Sequence, residues 1–221
     1  MIAKRAWKVL IIVFSTIIAS GCAATRSTID VTAAKMPAAA ESTPKIQVAI
    51  MRVVDARQFE AAPRNPSTPS LKSAEDLKNP QIRARAIARK RGGFGQAMAD
   101  ILLPEGRTVE QLVREAATKA LRERGYGVVD SSAAASTNAL PLDLEIKQYW
   151  SWFTPGFFAI SLEFEGIVTM KGDILIGSKE KTVRGYTLVK GMAATDDQWS
   201  RTLEQGNEDL ISKMKAALRD P

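Results

Sequence analysis

Residues 140–153 read LPLDLEIKQYWSWF. Leu140, Leu142, Leu144 and Ile146 fall on one side, and Asp143, Glu145 and Lys147 on the other. A period of two with one apolar and one charged face marks a strand that lies on a core and turns its back to water. Thr154, Pro155 and Gly156 then supply a turn. Residues 157–176, FFAISLEFEGIVTMKGDILI, return with Ile160, Leu162, Phe164, Val168 and Met170 in alternation. A second turn at residues 178–181, SKEK, leads into TVRGYTLV. This stretch predicts an antiparallel meander with one solvated face.

Working outward, two segments carry the helical period. From Thr108 to Arg124, Val109, Leu112, Val113, Ala116, Ala117, Ala120 and Leu121 recur at spacings of three and four and form one stripe. Thr108 and Gln111 match a capping box, and Gly125 is placed to end the helix in the left-handed conformation. Glu110 with Arg114 and Glu115 with Lys119 are i,i+4 pairs in the favourable order. A last helix runs from about Thr195 to Arg219. Asp196 and Asp197 sit at its start, and Trp199, Leu203, Leu210, Ile211, Met214 and Leu218 form its apolar face; Gly206 and Asn207 weaken its middle.

Upstream, residues 45–57, KIQVAIMRVVDAR, read as a strand covered on both sides, with Ile46, Val48 and Ile50 on one face and Ala49, Met51 and Val53 on the other. Residues 126–130, YGVVD, are a short strand. Together these elements predict an α+β fold, an antiparallel sheet of about four strands with two amphipathic helices packed on one face. Residues 45–219 form the single domain. A long insertion at about residues 56–104 interrupts it, with Pro63, Pro66, Pro69 and Pro80 and few apolar anchors in its first half.

Composition removes several chemistries. The 221 residues contain no histidine and one cysteine, Cys22. That excludes imidazole as a general base, an intramolecular disulfide and a Cys/His zinc site. Any catalysis would rest on carboxylates, lysines or hydroxyls, and no catalytic signature, cofactor motif or metal-ligand spacing emerges. The net charge is +7, of which Lys4, Arg5 and Lys8 supply three; without them the chain carries +4, too mild for a nucleic-acid binder.

The N-terminus is more specific. A basic start precedes an uncharged run from Val9 to Gly21. At 1.5 Å per residue that run spans about 20 Å, short of the roughly 30 Å hydrocarbon core, so a secretory signal fits better than a membrane-spanning helix. Ala19, Ser20, Gly21 and Cys22 resemble the lipobox of bacterial lipoproteins, with Ala19 where leucine is more common. The resemblance implies cleavage after residue 21 and acylation of Cys22 on its sulfur and its new amino group. Ala23 rather than aspartate after the cysteine implies the periplasmic face of the outer membrane. Residues 22–44, rich in Ala, Ser and Thr, have tether composition.

The order of lipobox, tether, VAIMRVVDAR, VEQLVREAATKALRERGYGVV, two long alternating strands and a C-terminal helix is similar to the YajG-like bacterial lipoproteins, over roughly residues 17–215. The long insertion departs from shorter relatives, and that family carries no assigned activity. A looser likeness in layout is to the lipopolysaccharide-assembly lipoprotein of the outer membrane.

Four internal features invite functional readings. Residues 89–98, RKRGGFGQAM, hold glycines and cations but match neither phosphate-loop spacing. Lys78, Arg83, Arg85, Arg89, Lys90 and Arg91 could meet anionic lipid, lipopolysaccharide or an acidic partner; a solvated loop face is the alternative. Tyr149, Trp150, Trp152, Phe153, Phe157 and Phe158 crowd into ten residues. Extending the parity of Leu144 and Ile146 turns Trp150 and Trp152 toward the helices and Tyr149 and Phe153 away, so Tyr149, Phe153 and Phe157 become candidates for a partner or membrane contact, with core packing under helices or insertion as the alternative. Glu163 and Glu165, and Asp196 and Asp197, are paired carboxylates, read more simply as solvated residues. The expectation is a non-enzymatic, lipid-anchored accessory or assembly factor with an envelope protein partner still to be identified, or alternatively a module that captures an envelope polymer or lipid in a groove between helices and sheet.

Overall fold

The computed structural model describes residues 26–31, 44, 46–92 and 96–221. Its centre is a long strand, β6 (Leu140–Thr154), reached through β1 (Ser27–Thr28), β2 (Gln47–Asp55), the short helices α1 (Ala74–Lys78) and α2 (Pro80–Arg85), β3 (Ala86–Arg91), β4 (Ala97–Leu102), helix α3 (Val109–Arg124) and β5 (Gly127–Val129). After it come β7 (Ile160–Lys171), β8 (Glu180–Gly191) and helix α4 (Asp196–Ala217).

The eight strands form one mixed sheet, which corrects the expectation of about four antiparallel strands under two helices. One edge of β6 carries the antiparallel ribbon β7–β8, as the alternation predicts. The other edge is shared. Its first half pairs in parallel with β2, from Val48 opposite Leu140 to Asp55 opposite Ile146, and further along Ser151 pairs in parallel with Ala88 of β3. Beyond β2 lies β5, also parallel; beyond β3 lie antiparallel β4 and then β1, parallel to β4. Two physical causes separate this sheet from the expected one. The connection from β2 to β5 runs through α1, α2, β3, β4 and helix α3, a crossover long enough to bring the chain back in the same direction, so those strands pair in parallel. The insertion, read as irregular from its prolines, places its proline-free part in the sheet as β3 and β4. Residues 26–31, within the stretch of tether composition, add β1 and bury Ile29 and Val31.

Helices α3 and α4 cover one face. The seven apolar side chains of the α3 stripe are all buried, both halves of the Thr108–Gln111 capping box are made, and Gly125 ends the helix at φ 101°. The expected surface pairs of α3 are redirected into tertiary contacts. Arg114 donates to the Ile50 carbonyl at 2.6 Å, Glu110 accepts from the Asp55 amide at 3.0 Å, Arg107 pairs with Glu115, and Lys119 reaches Glu208 of α4. Gly206 does not interrupt α4: a Cβ there would lie 2.0 Å from the Phe164 ring, and one at Gly185 of β8 would lie 2.6 Å from the Leu210 backbone. These two glycines let helix and strand approach until no groove remains between them at that point.

The insertion covers the other face over the second half of β6. Leu71, Ala86, Leu102, Trp150 and Trp152 form a second core there, with Phe59, Leu77, Ile82 and Tyr186 against it. Arg57, fully buried, ties this layer down: it pairs with Asp55 at 2.7 Å and donates to the carbonyls of Ala86, Tyr149 and Arg83 at 2.6, 3.1 and 2.9 Å.

Candidate functional site

Side-chain direction along β6 is set by a bulge. Ile146 lies opposite Val168 but Gln148 lies opposite Ile167, so Lys147 is the extra residue. An extra residue reverses the parity of everything after it. Tyr149 therefore faces the helices and Trp150 and Trp152 face the insertion, the reverse of the simple alternation. Tyr149 is fully buried, its ring edge-on to Phe164 at 4.8 Å and its hydroxyl 3.4 Å from Asn207 Oδ1 of α4. Burial pushes its phenol up from the ordinary value. Tyr149 is a core residue, which corrects its reading as a contact residue. Phe153 follows the same parity and is half-buried against the main core.

At the turn between β6 and β7 the chain leaves the core. Phe157 is 93% exposed and Phe158 84%, their rings edge-to-face at 4.6 Å, and Met192, just past the end of β8, is 84% exposed. Gly191 pairs with Ile160, so Met192 lies at the same end of the sheet as the two phenylalanines. Three large apolar side chains at one end of the sheet thus form an exposed apolar patch. Phe157 was legible as a candidate; Met192 was not, because only the β7–β8 register places it there.

The basic run divides rather than forming one patch. Arg83 lies over the Phe59 ring at 5.2 Å, and Arg85 donates to the Leu103 carbonyl at 2.9 Å. Lys90 binds Ser27 Oγ at 2.6 Å and Asp196 at 2.8 Å, holding the Asp196 carboxyl below its ordinary range. Arg89 is buried, 6% exposed, with Nη1 3.4 Å from the Ala61 carbonyl; desolvation lowers its guanidinium value, Asp100 opposes this, and Arg91 adds to it. All four of these cations make contacts within the fold; Arg83 and Arg85 belong to α2, and in β3 strand alternation sends Arg89 and Lys90 to opposite faces.

Arg91 meets a different setting. With Gly92, Arg64, Pro63, Pro66, Phe153 and Pro155 it lines a groove of about 410 Å³ between the ends of β3 and β6 and the loop through residues 63–66. Trp150 Nε1 donates to the Pro66 carbonyl at 3.3 Å and Gln148 to the Ser67 carbonyl at 2.7 Å, which pins that loop over the sheet. Burial lowers the Arg91 guanidinium from its ordinary value. Arg64 was not singled out in the sequence, since an isolated arginine among prolines gives no signal until the loop is folded onto β6.

Of the paired carboxylates, Glu163, Glu165 and Asp196 are engaged in ion pairs or hydrogen bonds. Glu163 accepts from Tyr186 Oη at 2.6 Å and from Thr154 Oγ1 at 2.8 Å, and Glu165 pairs with Arg184 at 2.5 Å. Among the described residues no group of three or more His, Cys, Asp or Glu could hold a metal ion, and no helix is long and apolar enough to cross a membrane. Ala19, Ser20, Gly21 and Cys22 lie outside the described residues.

No family model and no curated protein matches this chain. A solved structure titled "Crystal structure of uncharacterized protein" aligns over 87% of this chain and 97% of its own, at 12% identity and a TM-score of 0.38, a likeness too low to bear on fold or function.

Proposed function

We propose that the chain is a lipid-anchored protein of the kind the YajG-like lipoproteins represent, held by Cys22 on the periplasmic face of the outer membrane. In this reading it works without catalysis, as an accessory or assembly factor, through protein or membrane contacts made at the β6–β7 turn. The observation that carries the proposal is the exposure of Phe157, Phe158 and Met192 together at one end of the sheet. Each aromatic side chain buries about 150–250 Å² when it finds a partner, a gain the isolated domain does not collect. The lipobox resemblance supports the address, and acylation at one cysteine supplies the several chains that stable anchoring requires.

The test is fractionation of cells producing the full chain, with in-cell crosslinking of what lies against the turn. A Cys22→Ser change should release the protein from the membrane fraction, and its retention there as a cleaved protein would refute the anchor. Phe157→Ser with Phe158→Ser should leave the thermal unfolding midpoint in place and remove the crosslinked species. A lowered midpoint with unchanged crosslinks would make the turn a structural element instead.

A further inference from the structure

The register of the sheet fixes which end of the domain its N-terminus enters. Ser27 lies opposite Ile101, Ile101 opposite Ala88, and Ala88 opposite Ser151, so the four residues share one row across the sheet. Strand β1 runs parallel to β4, antiparallel to β3 and hence antiparallel to β6. Stepping back from Ser27 to Arg26 therefore moves in the direction in which β6 advances, toward Pro155 and the exposed phenylalanines. The chain enters from the same end that carries the apolar turn and the arginine-lined groove.

If Cys22 carries the lipid, the leash is short. Three residues lie between Cys22 and Arg26, and the four steps from one to the other span at most about 14 Å fully extended. A 23-residue tether of the kind the composition suggests would let the domain float free of the bilayer; a leash anchored by β1 holds this end against it. The dimensions then agree with a bilayer surface. Pro155, at the groove, is two residues from Phe157, or at most about 7 Å along the chain. The polar layer on each side of the hydrocarbon core is about 5–8 Å thick. With Phe157 and Phe158 at the edge of the hydrocarbon, Arg64 and Arg91 stand among the headgroups.

We propose that the groove bounded by Arg64, Arg91, Gly92 and Phe153 binds the phosphate of an anionic lipid in the membrane to which the protein is anchored. This rests on the lipid-anchor reading above and adds to it an orientation and a ligand. Charge supplies the argument for the occupant: two guanidiniums suit a phosphate, Pro155 and Phe153 offer apolar surface beside it, and Arg91 is already partly stripped of water, so an anion there costs it little further desolvation.

The test uses the full lipidated chain with benzoylphenylalanine in place of Met192, reconstituted in vesicles of phosphatidylcholine alone or mixed with phosphatidylglycerol. Light-driven transfer to lipid should be strong in the mixed vesicles and should fall about tenfold in an Arg64→Gln, Arg91→Gln variant, while an Arg64→Lys, Arg91→Lys variant retains most of it. An unchanged unfolding midpoint in the Gln variant excludes a folding defect. Equal transfer in both vesicle types, or transfer indifferent to the Gln changes, overturns the groove proposal while leaving the apolar turn in the membrane. Absence of transfer to any lipid overturns both. Added inorganic phosphate that abolishes transfer in the mixed vesicles would make the groove a site for free anions and overturn the lipid assignment.

Discussion

Tyr149 shows how one inserted residue reassigns a side chain. Its ring fills the space between Phe164 and α4, so Tyr149→Ala should cost about 3–5 kcal/mol, read as a lower urea midpoint, whereas a surface role would leave the midpoint near wild type. Gly206 makes the opposite point about size. Alanine is the better helix former by about 1 kcal/mol, yet its Cβ would enter the Phe164 ring, and Gly206→Ala should destabilise by about 1–3 kcal/mol in the same measurement. Tyr186 sets an alkaline limit. Burial, and secondly the hydrogen bond to Glu163, push its phenol up to about 12. The folded protein then holds that proton more tightly than the unfolded chain, which releases it near pH 10. The stabilisation is complete below about pH 10 and is lost as pH rises toward 12; Tyr186→Phe should remove this part of the alkaline decline, as followed by thermal unfolding across that range.

Among the elements, α3 was the most legible, because its stripe, its cap and its terminating glycine all point to the same boundaries. Its Thr108 cap should be worth about 1 kcal/mol, and Thr108→Ala should lower the unfolding midpoint without altering the sheet. The strands were legible as strands and not in their partners. Alternation reports which residues share a face, and it is blind to direction and to bulges. β2 repeats the lesson of β6: its register shifts between Ile50 and Arg52, after which Val53 rather than Arg52 packs toward the main core. The insertion was the least legible element, since the second core it forms with β6 is assembled from residues far apart, Phe59, Leu71, Leu102 and Trp150, which no single periodic stretch brings together.

For the whole molecule, the layer over β3 and β6 hangs on a buried cation. Replacing Arg57 by methionine leaves three carbonyls without their donor and takes the guanidinium partner from Asp55, at a cost of about 3–5 kcal/mol. Limited proteolysis should then cut within residues 56–85 while α3 and α4 stay intact; unchanged resistance would show that apolar packing alone holds the layer. The candidate site follows the same division as the fold. The uncharged N-terminal run, the cysteine at its end and the aromatic cluster that holds Phe157 are properties of neighbouring residues, and local sequence carries them. The groove, Arg64, Met192 and the end of the domain from which the chain enters depend on strand register. What the amino-acid order alone determined was the set of amphipathic elements, their caps and the chemistry the composition excludes, because each arises from contacts within a few residues. Only the tertiary structure decided strand direction, the parity of β6 past Lys147 and which cations stay at the surface, because those depend on hydrogen bonds between segments as far apart in the chain as Ser27, Ala88 and Ser151.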